Sequence, residues 1–385
     1  MIIQPKVRGF VCTTTHPVGC EVSVKEQVAY LKSRPKITNG PKNVLVIGAS
    51  TGYGLASRMV ASASCGANSV GVFFERPEED GRLGSPGFYN ALALDKISTA
   101  LGLVSESLNG DAFSEETKNA TINLIRKKLG QVDCVVYSLA SPRRVDPVTG
   151  EVYKSVLKPI GEHFSSKTIN TDKATICTVD LDPASDKEIF DTVKVMGGED
   201  WARWINILLS AKVLADGVKT IAYSYIGPEM TWPIYAKGTI GRAKEHLDET
   251  RKQLGGLLAK LGGNAYVSVN KAVVTQASAA IPVVPLYISI LMRVMKENGI
   301  WEDCLDQMYR LFSSRLYLAD KLQLDDRGRI RLDDLEMRAD VQARVMDLFS
   351  KITTETIDEL SDFAGYRREF LKLFGFGVKG VDYNS

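Results

Sequence analysis

This 385-residue chain has only three histidines (His16, His163 and His246), and none stands near cysteines or carboxylates at a metal-ligand spacing. A zinc hydrolase is excluded on that ground, and no metal site is expected. Its six cysteines (Cys12, Cys20, Cys65, Cys134, Cys177 and Cys304) are scattered, with no CxxC pair and no short disulfide framework. Such usage fits a reducing compartment, and a cytoplasmic protein is expected. The N-terminal MIIQPKVRGF lacks the basic and apolar regions of a secretory signal. The most hydrophobic stretch, AAIPVVPLYISILM at 279–292, is too short to span a bilayer and holds Pro282 and Pro285. Net charge is only +2, without a basic run or an aromatic-interleaved basic stripe, which removes the footprint of a nucleic-acid binder.

What is present is ordinary globular material, 44% hydrophobic and 24% charged, large enough for a sizeable core. VLVIG at 44–48 is an apolar, β-branched run that stops at glycine and leads into a helix-compatible stretch. Similar strand-like runs follow at 69–75, 104–111, 132–140, 218–227 and 265–270, separated mostly by amphipathic segments. Apolar strands alternating with helices predict an α/β fold, a Rossmann-type doubly wound parallel sheet with right-handed crossovers.

Three regions fall outside this rhythm. Residues 1–43 are an N-terminal extension, expected to add a small hairpin or edge element and a helix near Lys25 to Arg34. Residues 143–198 form an insertion after the fourth strand, with short strands such as ATICTVDL. Residues 299–385 read as extra amphipathic helices interrupted by DDRGRIRLDD. No internal repeat or low-complexity linker appears, so one elaborated domain over 1–385 is expected, with 44–142 and 199–298 as its cofactor-binding and catalytic core.

The first turn reads Gly48-Ala49-Ser50-Thr51-Gly52-Tyr53-Gly54. Glycines between a strand and a helix let the backbone turn tightly and approach a pyrophosphate, which then faces the helix's N-terminal amides. Phe74-Glu75 ends the second strand, about twenty residues beyond the last glycine, where a carboxylate can accept from the adenine-ribose hydroxyls. The same charge repels a 2′-phosphate, so Glu75 favours NADH over NADPH, although the adjacent Arg76 could receive a phosphate if Glu75 swung away. Asp111 and Ala112, after the third strand, are placed for the adenine ring, and Leu139 and Ala140 offer backbone contacts after the fourth.

After the fifth strand comes a segment from Tyr225 to Lys244 that holds Tyr235 and Lys237. A lysine that holds the nicotinamide ribose can also favour a polarising tyrosine hydroxyl, provided the two lie close. Tyr235 and Lys244 are nine positions apart, about 900° or half a turn net on a regular helix, so they cannot share one helical face. Tyr235 is therefore expected on a loop or distorted first turn shaped by Pro233, Gly238 and Gly241, with Lys244 in the helix proper and Lys237 a surface charge. The 279–292 stretch, following the last strand, reads either as a buried core helix or as a wall of an apolar pocket.

The Tyr-x8-Lys spacing, GASTGYG, VFFERP, SLASP, VMGGEDW, AYSYIGPE, VNKAVVTQASAAIP, TTTHPVGC and the AGYRREF segment around Tyr366 together resemble the FabV-type enoyl-acyl-carrier-protein reductases and the trans-2-enoyl-CoA reductases, over essentially the whole chain. The resemblance implies a monomeric relative of the short-chain dehydrogenases that uses NADH to saturate the 2,3 double bond of an enoyl thioester, on acyl carrier protein or coenzyme A, in fatty acid synthesis. It implies Tyr235 as proton donor, Tyr225 as substrate contact, Lys244 as cofactor contact, and Val273, Val274 and Thr275 as further cofactor contacts. Two alternatives differ in kind. A short-chain carbonyl reductase would carry Tyr-x3-Lys and an upstream serine, and a non-catalytic dinucleotide sensor would need neither Tyr235 nor Lys244.

Overall fold

The computed structural model describes residues 2–317 and 322–384. Seven parallel strands make the central sheet: β1 (Asn43–Ile47), β2 (Asn68–Phe73), β3 (Ser105–Asn109), β4 (Val132–Tyr137), β5 (Leu214–Ser224), β6 (Asn264–Val269) and β7 (Ile330–Arg331). They lie in the order β3-β2-β1-β4-β5-β6-β7. The chain thus leaves β1 in both directions, and β1 and β4 flank the switch point where ligands of such sheets bind.

Strand periodicity explains the layers. Along β1, Val44 and Val46 join one apolar cluster and Leu45 and Ile47 join the opposite one, all four fully buried. Helices α1 (Pro17–Ser33), α2 (Gly52–Cys65) and α3 (Pro86–Ala100) cover the first face. The second face is covered by α4 (Glu115–Lys128), α6 (Glu199–Ser210) and α7 (Thr239–Leu258). Both predicted faces are present because Val44–Ile47 of the central strand β1 have no polar side to turn to water.

A third apolar cluster surrounds α9 (Val284–Glu297) and the C-terminal helices Ala339–Lys351 and Phe363–Lys372. Residues 284–292 of α9 are all buried, so this run is a core helix packed on every side. The insertion forms two hairpins, Arg143–Val145 with Val152–Lys154 and Phe164–Asn170 with Thr175–Leu181, followed by α5 (Asp186–Met196).

Four details differ from the sequence reading. The seventh strand was not foreseen: Ile330 and Arg331 pair with Ser268 and Val269 inside the segment read as an interruption between helices. Two residues carry too little periodicity to announce a strand. Helix α1 starts at Pro17 rather than near Lys25, because proline pre-sets the first turn and His16 Nδ1 accepts from Gly19 N–H at 3.1 Å. The third strand is shorter than 104–111, and β5 begins four residues before Val218 and stops at Ser224, with a register shift against β4 between Leu214 and Lys219.

Candidate active site

The glycine turn after β1 is built for close approach. Gly48 has φ +85°, and a Cβ there would sit 2.0 Å from the Ser138 carbonyl oxygen, so only glycine lets the turn press against the end of β4. Gly54 is needed for the opposite reason: a Cβ would lie 1.8 Å from the Gly48 carbonyl oxygen, so its absence lets α2 start directly on the turn. Thr51 caps α2 in an extended conformation without a side-chain hydrogen bond, leaving the helix's first amides open to an anion. These residues fit a dinucleotide pyrophosphate.

The side chains of this turn do different work. Ser50 gives its hydroxyl to Glu75 Oε1 at 2.6 Å, and Ser85 gives its hydroxyl to the other carboxylate oxygen. Glu75 is thus fixed at the end of β2, and its backbone is held by Asn109 through two bonds of 2.8 Å. Swinging Glu75 away so that Arg76 could take a 2′-phosphate would break both hydroxyl bonds. Tyr53 turns into the core, donating to the Lys271 carbonyl at 2.6 Å and accepting from Gln307 at 2.8 Å, so only its backbone can face a cofactor. Phe74 is 78% exposed beside Glu75, an apolar face open at the sheet's edge.

Past β3, Asp111 accepts from the Phe113 N–H at 2.9 Å. The Ala112 carbonyl already accepts from Lys118 and Trp204, so its carbonyl is spent on the fold. Leu139 is half-buried and Ala140 exposed, just after β4 and next to the Gly48 turn. The Val273–Val274–Thr275 segment comes in from the other side. A Cβ on Gly52 would meet Thr275 Cγ2 at 3.6 Å, while the Thr275 hydroxyl caps the short helix Gln276–Ala279 by accepting from Ser278 N–H at 3.0 Å.

Tyr225 follows β5 directly. Tyr235 sits in the irregular turn between the 3-10 helix Glu229–Thr231 and α7, and Lys244 lies in the second turn of α7. The bend between them has a steric cause. A Cβ on Gly241 would stand 2.0 Å from the Ala236 carbonyl oxygen, so α7 begins under the loop. The insertion pins the same point: the Lys158 carbonyl accepts from Thr239 N–H at 3.0 Å and the Val156 carbonyl from the Thr239 hydroxyl at 2.5 Å. Lys237 is exposed, over the Trp232 ring at 5.2 Å.

The rings of Tyr225 and Tyr235 meet edge to face, centroids 4.9 Å apart and 80° between planes. Lys244 Nζ donates to the Tyr223 carbonyl at 3.1 Å, which ties it to the end of β5. Burial pushes the Lys244 ammonium down to about 8, with Asp248 pulling the other way. Burial pushes the Tyr235 hydroxyl up, so it stays protonated at neutral pH, and among the described residues no side chain is hydrogen-bonded to it. A protonated phenol and a buried cation are the kinds of group that can polarise an oxygen and protonate a carbon.

Residues 82–317 match the model of the trans-2-enoyl-CoA reductase catalytic region, and residues 2–80 match the NAD(P)H binding domain of trans-2-enoyl-CoA reductase. This chain belongs to the trans-2-enoyl-CoA reductase family. The enoyl-[acyl-carrier-protein] reductase [NADH] of Opitutus terrae is 54% identical, covering 100% of this chain and 98% of its own. Enoyl-[acyl-carrier-protein] reductase [NADH] 1 of Vibrio parahaemolyticus is 56% identical, covering 100% of this chain and 97% of its own. The crystal structure of Clostridium acetobutulicum trans-2-enoyl-CoA reductase in complex with NADH superposes with a TM-score of 0.97 at 45% identity, covering 100% of this chain and 97% of that one. The Treponema denticola enzyme in complex with NAD gives 0.96 at 47% identity, covering 100% and 98%. Membership sets aside both the carbonyl-reductase and the sensor alternatives.

Residues 324–385 match an enoyl reductase FAD binding domain. The described residues of this segment do not fit a flavin: they contain no glycine-rich strand-to-helix turn, and Val341, Val345, Leu348, Phe363 and Phe370 are buried in the cluster around α9. This segment instead contributes Glu336, a buried carboxylate whose contacts reach Tyr225. No spacing in the sequence marked Glu336, since Tyr225 lies 111 positions before it.

Proposed function

We propose that Tyr235 supplies the proton and Lys244 holds the nicotinamide ribose while this chain reduces a trans-2-enoyl thioester. The reduction itself, NADH-dependent saturation of the 2,3 double bond in fatty acid synthesis, is the activity of the family, and this chain is an oxidoreductase of that class. The observation that carries the assignment is the meeting of Tyr225 and Tyr235 at the end of β5, on the strand whose Tyr223 carbonyl receives Lys244.

The cofactor would be held by the backbone of 48–53, by Glu75 and Phe74 at the adenine ribose, by Asp111, Ala112, Leu139 and Ala140 along its length, and by Lys244 with Val273–Thr275 at the nicotinamide end. When bound, NADH supplies the hydride that adds to the β-carbon. Negative charge then moves onto the thioester oxygen, and the Tyr235 hydroxyl stabilises it and delivers the proton that reaches the α-carbon. The Lys244 ammonium keeps the local potential positive. Tyr225 contacts the substrate, and the half-buried Tyr225, Met230 and Ile281, which pack on the apolar cluster of Ala272 and Val274, face the acyl chain.

The thioester rides on acyl carrier protein or coenzyme A. We also propose a single elaborated domain, since all seven strands share one sheet across the boundaries of the family models, acting as a cytoplasmic monomer. The described cysteines are all unpaired, and no helix among the described residues is long and apolar enough to cross a membrane. Light scattering on a sizing column tests the monomer. Purified protein mixed with NADH and crotonyl-CoA, followed at the nicotinamide absorbance band, tests the reaction; loss of absorbance is expected, and none with any enoyl thioester overturns the reading.

A further inference from the structure

Glu336 is 0% exposed and lies in the loop after β7, outside every element assigned to the reaction. One carboxylate oxygen receives two hydroxyls, Tyr225 at 2.9 Å and Tyr287 at 2.7 Å. The other receives the Ala272 N–H at 2.8 Å. Tyr287 is in turn fixed by Gln342 Nε2 at 3.1 Å, and the same amide nitrogen donates to the Glu336 carbonyl at 2.7 Å. A buried carboxylate with three donors is an acceptor of fixed direction. Burial raises the Glu336 carboxyl above its ordinary value, and it is opposed by Lys271, buried with its ammonium 3.5 Å from the centre of the Trp301 ring, and by the three donors, which favour the ionised acceptor.

The direction of the Tyr225 bond has a chemical consequence. With its hydrogen given to Glu336, the Tyr225 hydroxyl has lone pairs, and no hydrogen, left for the pocket. Tyr235, edge to face with it, has a hydroxyl that no side chain among the described residues engages.

We propose that Glu336 is a positioning residue for the reaction: by receiving the Tyr225 hydrogen it turns Tyr225 into an acceptor toward the pocket and leaves Tyr235 as the hydroxyl that donates to the thioester oxygen. This rests on the reading of Tyr225 as a substrate contact. The arrangement prevents two phenols from competing for one oxygen, and it fixes the Tyr225 ring against Tyr235. Because Oε2 also holds the Ala272 amide, the same carboxylate ties Tyr225 to the segment leading into Val273–Thr275.

Glu336→Gln is the informative change. Its amide oxygen can keep the Ala272 N–H, which places its NH2 toward Tyr225 and Tyr287 and forces both hydroxyls to become acceptors there. The Tyr225 hydrogen is thereby released toward the pocket. Glu336→Gln, Tyr225→Phe and the double variant would be compared in kcat and KM for crotonyl-CoA, together with the dissociation constant for NADH and the melting temperature. Expected is a loss of about tenfold in kcat/KM for crotonyl-CoA in Glu336→Gln, the scale of one misdirected hydrogen bond, with NADH affinity held within about twofold.

In the Tyr225→Phe background the same substitution should cost less than about twofold, since the group it acts through is gone. Equal losses in both backgrounds, or full activity in Glu336→Gln, would overturn the proposal. Tyr225→Phe alone at wild-type rates would instead remove Tyr225 as a substrate contact, so the two failures are distinguishable. Should Glu336→Gln not fold, Glu336→Asp replaces it in the cycle, because its shorter side chain draws the carboxylate away from the Tyr225 hydroxyl. Its loss must likewise vanish in the Tyr225→Phe background, and an additive loss counts against the proposal.

Discussion

Tyr225 and Tyr235 sit ring against ring at 4.9 Å, yet their hydroxyls are in opposite states: one is bonded to a buried carboxylate and the other is engaged by no side chain among the described residues. Two like residues side by side are thereby given different tasks. Tyr235→Phe keeps the ring and its packing and removes only the hydroxyl. Turnover should fall by about a hundredfold or more, the scale of a lost general acid, while NADH binding stays within about twofold. Stopped-flow turnover and fluorescence titration of NADH check both halves, and unchanged turnover removes Tyr235 from the mechanism.

Glu75 is held by Ser50 and Ser85, which fixes its carboxylate at the end of β2, where the proposed cofactor pose puts the ribose 2′ position. Glu75→Ala should raise kcat/KM with NADPH relative to NADH by about tenfold or more, the equivalent of about 1.4 kcal/mol for removing one like-charge contact. Ser85→Ala, which frees one side of the carboxylate, should move the ratio in the same direction by less. If the preference does not shift in Glu75→Ala, the ribose assignment fails.

Gly54 carries a prediction about the fold as much as the site. A methyl group placed 1.8 Å from the Gly48 carbonyl oxygen must push α2 off the turn, since its neighbour is backbone and cannot rotate away. Gly54→Ala should cost about 2 kcal/mol or more in stability and weaken NADH binding in parallel. Chemical denaturation and NADH titration on one preparation check it. A stable variant with normal affinity would mean that the turn is more pliable than its packing indicates.

The residues that announced themselves in the sequence did so through local pattern. VLVIG followed by GASTGYG exposes a strand, turn and helix within about a dozen positions, and the nine-step gap from Tyr235 to Lys244 already requires the bend that Gly241 makes possible. Strand β7 is two residues long and pairs with β6 at the sheet's edge, so its signal is tertiary. Glu336 is likewise defined by donors that come from β5's end, α9 and the Ala272 loop, far from it in the chain. Tyr53 was legible as part of the turn, but its side chain's direction depends on Lys271 and Gln307, which no local spacing relates to it.

Lys244 offers a test by pH in which activity and stability move in opposite directions. Burial lowers its ammonium to about 8, so the charge is present below that pH and is lost as pH rises through it. If the charge holds the nicotinamide ribose, kcat/KM for NADH should fall above about pH 8, the value belonging to the free enzyme. Lys244→Arg, whose guanidinium stays charged, should lower the rate but flatten that limb. For stability the sign reverses. The unfolded chain has an ordinary lysine near 10.4, so between about 8 and 10.4 the unfolded state binds more protons and the contribution of this group to folding stability rises with pH. Melts of wild type and Lys244→Met across that window should diverge upward for the wild type as pH increases. A limb near pH 8 that persists in Lys244→Arg would assign it to another group, and parallel melting curves would place the Lys244 ammonium in a better-solvated setting than its contacts with β5 describe.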